Sequence, residues 1–154
     1  MKKQALWTLA ALILAMPVLP VSAQIADVSQ PDGNGNFKTA RILGNRGYYL
    51  QRKWLIVEPD KAGVNCRNKQ GKVLVRIAYG AVVDSVVIQT NAVMPRPPLK
   101  ANWDAIEVLD GKPWVYVRVN LLDVQQTLGN RQNTYTCYVR AHRQYIAPIN
   151  EDQL

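Results

Sequence analysis

The strongest constraint on what this chain can fold into lies between Trp103 and Val119, where two alternating runs are joined by Asp110-Gly111. Trp103-Asp104-Ala105-Ile106-Glu107-Val108-Leu109 leads into that dipeptide, and Trp114-Val115-Tyr116-Val117-Arg118-Val119 leads away from it. Asp-Gly supplies the positive backbone angles that a tight primed turn requires, so the segment is expected to be a β-hairpin, its loop lengthened by Lys112-Pro113. Successive strand side chains point to opposite faces. Val115, Val117 and Val119 should therefore share one face and Trp114, Tyr116 and Arg118 the other. The valines fit a core, which leaves the aromatic and basic face for a neighbouring sheet or a ligand.

The punctuation around the hairpin is also that of an all-β chain. Trp54-Leu55-Ile56-Val57 is stopped by Glu58-Pro59-Asp60, while Lys72 to Tyr79 and Ala81 to Thr90 are rich in valine and isoleucine and divided by Gly80. Two insertions separate these strands. Asn91 to Asn102 carries Met94-Pro95-Arg96-Pro97-Pro98-Leu99-Lys100, which suits an extended polyproline-type surface loop better than a central strand. Leu121 to Asn133 is polar and glutamine-rich, and is expected to be a second surface loop with at most one helical turn before Gly129-Asn130.

Upstream, Ile25 to Lys38 contains Pro31-Asp32-Gly33-Asn34-Gly35-Asn36, a cluster of turn formers with almost nothing to bury, and is expected to be a flexible leader. The stretch from Arg41 to Leu50 reads as an arm, interrupted by Gly44 and Gly47, so that residues 24–50 precede a folded body spanning 51–150, with residues 151–154 as a tail. The first 23 residues have the layout of a secretion signal: Lys2 and Lys3, then an apolar stretch from Ala5 to Leu19, then Val21-Ser22-Ala23 before a cleavage point. The alternative is an uncleaved anchor, which needs roughly 20 apolar residues; Pro17 and Pro20 shorten this stretch, so stable membrane insertion is not expected.

Loss of Lys2 and Lys3 leaves 17 of the 19 basic residues against 11 acidic ones, a net charge of +6. A basic exported protein is drawn to anionic polymers or acidic partner faces, and export argues against nucleic acid as partner. Catalysis has little to draw on. His142 is the single histidine, Ser29 and Ser85 are the only serines after the signal, and Asp104 and Glu107, three apart on a strand, point to opposite faces. A metal would need several converging His, Cys or carboxylate ligands, and neither metal nor cofactor is expected. The cysteines are two, Cys66 and Cys137, and an exported compartment favours their oxidation over service as a nucleophile, for which His142 would be the one available base.

Gly63-Val64-Asn65-Cys66-Arg67, then Gly71-Lys72-Val73-Leu74-Val75-Arg76-Ile77 and Gly80, the hairpin, and Cys137-Tyr138-Val139-Arg140 through Tyr145-Ile146 together resemble a bacterial Src homology 3 (SH3) domain. The likeness is carried by the order and spacing of these phrases over about Trp54 to Ile149, and is strongest to the cysteine-bearing form of exported cyanobacterial proteins. It implies a small SH3-like barrel with the two insertions on its surface, in which the first and last strands lie side by side and Cys66 and Cys137 are bridged. It further implies a non-catalytic module that binds peptidoglycan peptide or glycan in an aromatic and basic groove. Six rings, Tyr79, Trp103, Trp114, Tyr116, Tyr138 and Tyr145, are interleaved with Arg76, Arg118, Arg140 and Arg143 in the region concerned. Trp114 and Tyr145 suit the core; Tyr79, Tyr116 and Tyr138, with Arg140 and Arg143 beside them, are the expected ligand contacts. The alternative role is an interaction or assembly factor in the periplasm or a thylakoid lumen, using Arg41 to Val57 and the insertions as its contact surface.

Overall fold

In the computed structural model, which describes residues 28–44, 47–88 and 103–150, the Asp110-Gly111 hairpin is the organising element. Its second arm, β8 (Lys112–Asn120), is the longest strand and is flanked on both edges. The first arm, β7 (Ile106–Leu109), pairs with the first half of β8, and β6 (Val82–Ser85) pairs with the second half through Asp84 opposite Arg118 and Ser85 opposite Val117. β10 (Thr134–Arg140) covers the other edge from Asn120 to Trp114. Asp110 and Gly111 have φ of 50° and 71°, and Leu109 pairs directly with Lys112, so Lys112-Pro113 belongs to the strand and does not lengthen the loop. Pro113 has no N–H to contribute, and its carbonyl oxygen instead accepts from the Ala141 amide and the Arg140 guanidinium.

The remaining strands extend this nucleus. The elements are β3 (Lys53–Ile56), β4 (Val64–Arg67), β5 (Val73–Ile77), β9 (Val124–Thr127) and β11 (Ile146–Ile149). They form one sheet in the order β11-β3-β6-β8-β10-β4-β5-β9, with β7 beside β8, and every pairing is antiparallel. The all-β class expected from the alternation is what the chain adopts. Among the described residues the pairings leave β11, β9 and the outer side of β7 as free edges, so the sheet stays open rather than closing on itself. A separate ribbon, β1 (Arg41–Gly44) with β2 (Gly47–Leu50), stands apart from it.

Alternation decides which side chains meet inside. Val115, Val117 and Val119 are fully buried, as are Val75, Ile77, Val83, Ile56 and Ile146, while Trp114, Tyr116 and Arg118 face outward. Trp54 is also fully buried. Its indole N–H donates to Ser85 Oγ at 2.9 Å, and that hydroxyl in turn donates to the Gln51 carbonyl oxygen at 2.6 Å. Both hydrogen-bonding capacities of Ser85 are thus committed to the core.

Two further expectations, both about segments read as loops, need correction. The segment read as a flexible leader is packed from Val28 onward: Phe37, the chain's one phenylalanine, is 1% exposed and meets Trp54 edge to face with ring centroids 5.0 Å apart. Asp32 organises the turn before it, its Oδ1 accepting from the Asn34 and Asn36 amides at 2.9 Å each, and these bonds hold its carboxyl below the ordinary aspartate range. One buried ring among glycines and asparagines creates no periodicity, so the sequence pattern gave no sign of it. Likewise, Leu121 to Asn133 is not a plain loop. The one helical turn allowed for it is present as a 3-10 turn at Leu121–Asp123, but the segment then forms the edge strand β9, whose Gln126 accepts from Arg76 at 3.1 Å. Polar residues conceal an edge strand that buries little on either face. The signal-like segment 1–23, the proline-rich stretch 91–102 and the tail 151–154 lie outside the described residues.

Cys66 and Cys137 form a disulfide, with Cα atoms 5.5 Å apart and both side chains inaccessible to solvent. It joins β4 to β10. These are interior neighbours in the sheet, whereas the strands at the two ends of the body, β3 and β11, pair with each other.

Candidate functional site

On the outward face, the register of β8, β10 and β4 sets aromatic and basic side chains in rows. Tyr138 lies opposite Tyr116 on one side and Arg67 on the other, and Arg140 lies opposite Trp114. At one end of these rows is a groove of about 380 Å³, in the size range of small-ligand sites. Its strands contribute Lys112 and Trp114 from β8, Arg140 from β10, and Asn65 and Arg67 from β4. Tyr145 closes it from the turn before β11, and Glu58 and Asp60 enter from the connection between β3 and β4.

Each part is held from behind. Arg140 donates through Nη1 to the Pro113 carbonyl oxygen at 2.7 Å and through Nη2 to Asn36 Oδ1 at 2.6 Å, so its charge is placed without being neutralised by a carboxylate. Burial lowers its guanidinium from the ordinary value, opposed by Tyr145 and Asp32, and an arginine remains a cation under such a shift. The turn that carries Tyr145 is tied down through His142. The Gln144 amide donates to His142 Nδ1 at 3.1 Å, which leaves the proton on Nε2 to donate to the Asn34 carbonyl oxygen at 2.9 Å. The Tyr145 carbonyl oxygen accepts from the Val57 amide at 2.9 Å, bringing Glu58 against the same wall. Gly63 is required at the rim: its φ is 75°, and a Cβ there would lie 2.4 Å from the Ile77 carbonyl oxygen.

Of the five residues expected to contact a ligand, the groove contains Arg140. Tyr116 and Tyr138 share the outward face but form a pair of their own, with ring centroids 4.7 Å apart at 31°. Tyr138 is buried, and desolvation, followed by the Glu107 carboxylate, pushes its phenol well above the ordinary value. Tyr79 is 66% exposed in the turn between β5 and β6, and Arg143 is exposed in the turn after β10, where its amide donates to the Gly35 carbonyl oxygen. Neither lines the groove. The rings that do are Trp114 and Tyr145, both assigned to the core from sequence; Tyr145 does pack against the core while lining the groove, whereas Trp114 could have been found by parity, since alternation with the buried valines turns it outward. Arg67, Lys112, Glu58 and Asp60 came together only through folding.

Among the described residues no group of three or more His, Cys, Asp or Glu side chains could hold a metal, and no helix is long and apolar enough to cross a membrane. Fold and site together describe an all-β protein with a disulfide between interior strands and a polar, aromatic-walled groove. Comparison with protein-family models, with curated proteins and with solved structures gives no match.

Proposed function

We propose that this is an exported, non-catalytic binding module of SH3-like kind whose ligand is a cell-wall peptide or glycan, held in the groove between Trp114 and Tyr145. One observation carries the reading. Two aromatic walls and three cations, Arg67, Lys112 and Arg140, converge on a space of small-ligand size, and the hydrogen bonds of Arg140 set its position in advance. Aromatic faces suit sugar rings and peptide planes, and preplaced donors suit carboxylates, at little ordering cost. The signal-like N-terminus, the disulfide and the order of the SH3-like phrases support an envelope location and this ligand class.

The test is retention of the mature protein on purified cell-wall sacculi, with Trp114→Ala as the partner variant. Wild type should be retained and the variant should not. Retention of wild type no better than that of an unrelated basic protein of similar charge refutes the proposal.

A second reading, as an assembly accessory, draws on the β1–β2 ribbon. Leu43 and Tyr48 are paired across it and are 70% and 42% exposed, with the Arg41 guanidinium 4.0 Å above the Tyr48 ring. Recovery of one stoichiometric protein with the native chain, lost on Leu43→Glu, would favour it.

A further inference from the structure

The groove carries both signs of charge, and that narrows its ligand. Glu58 Oε1 accepts from the Asp60 amide at 3.3 Å and Asp60 Oδ1 from the Ala62 amide at 2.9 Å, but among the described residues neither carboxylate has an ion-pair partner. Lys112 likewise forms no ion pair among them, and Arg67 spends one Nη1 on the Gly71 carbonyl oxygen. A purely anionic ligand would meet two uncompensated carboxylates. A purely cationic one would meet Lys112, Arg67 and Arg140. Like-charge contacts at the groove select against both.

From this we infer that the groove takes a short peptide with both ends free, its ammonium group toward Glu58 and Asp60 and its terminal carboxylate toward Lys112. This rests on the groove being the binding site, as proposed above. Trp114 and Tyr145 would supply the aromatic walls beside the peptide, and Arg140, on the strand between β8 and β4 and fixed by Pro113 and Asn36, adds field without giving up its own hydrogen bonds.

The experiment is a titration of the full mature chain, followed at the Trp114 indole resonance, with trialanine, trialanine amide and N-acetyl-trialanine. Free trialanine should shift that resonance, and blocking either end should weaken binding by up to about fivefold, the loss expected when an exposed ion pair of up to about 1 kcal/mol is removed. In Lys112→Ala, a substitution at an exposed strand position, trialanine and its amide should bind equally. Equal binding of free and blocked peptides by wild type, or no shift at millimolar trialanine, overturns the inference. If sacculi still retain the protein in that case, the binding-module reading stands and the zwitterionic ligand falls; if retention is absent as well, both fall.

Discussion

Reduction of the Cys66–Cys137 bridge should open the protein along one particular seam. The sheet is unevenly sewn: β10 and β8 share seven registered pairs, from Thr134 opposite Asn120 to Arg140 opposite Trp114, whereas β10 and β4 share the single pair Tyr138 and Arg67. The disulfide crosses at that weaker junction, and beyond it lie β4, β5 and β9, which contribute Val64, Val75 and Ile77 to the core. With a sequence separation of 71, the chain-entropy relation gives about 4.4 kcal/mol of stabilisation relative to the reduced unfolded chain. For a urea slope of about 2 kcal/mol/M this is a fall in midpoint of about 2 M. The assay is urea denaturation with and without reductant, accompanied by hydrogen exchange at low denaturant. Amides of β4, β5 and β9 should lose protection before those of β8 and β10. A change below about 1 kcal/mol would show that the bridge does not limit the unfolded ensemble as calculated. Simultaneous loss of protection across β8 and β4 would show that the seam is no weaker than the rest.

Two further outcomes follow from the buried rings. Phe37→Ala removes a side chain that is 1% exposed and lies against Trp54, and should cost about 3–5 kcal/mol in a denaturation series; a loss under about 1 kcal/mol would return residues 28–38 to the status of a leader. Tyr138 has its phenol pushed up by burial and by Glu107, so the folded state favours the neutral form: its contribution is fully present below the ordinary tyrosine value of 10.0 and is lost as the pH rises above it. Spectrophotometric titration of wild type against Tyr138→Phe should therefore show that Tyr138 stays protonated above the ordinary tyrosine value while the protein stays folded, and its ionisation at or below that value would contradict the burial argument.

The distribution of what was legible follows from which interactions are local. The Asp110-Gly111 turn, the inward valines of β8 and the outward Trp114, Tyr116 and Arg118 are all set by backbone preferences and a two-residue period, and they can be read without knowledge of any neighbour. The same holds for the strands beginning near Trp54 and Val73, and for the all-β class they imply. Parity assigns a face, however, and a face is not a site. Tyr116 and Tyr138 were equally good groove residues by composition, but their register places them opposite one another, where they stack and leave the groove to Trp114.

The parts decided only by tertiary structure are those whose partners are remote in sequence. Phe37 became core because Trp54 and the Ala141 carbonyl receive it, and the Pro31–Asn36 turn became ordered because Asp32 binds its amides and His142 binds Asn34. The groove joins Glu58, Arg67, Lys112, Arg140 and Tyr145, drawn from three stretches of chain, 58–67, 112–114 and 140–145, that are remote from one another in sequence. Short-range preference determined that this protein is built of strands and which side of each strand is apolar. Strand order, the seam bridged by Cys66 and Cys137, and the charges that share one cavity depended on long-range pairing, because no local rule ties one strand's edge to a strand far along the chain.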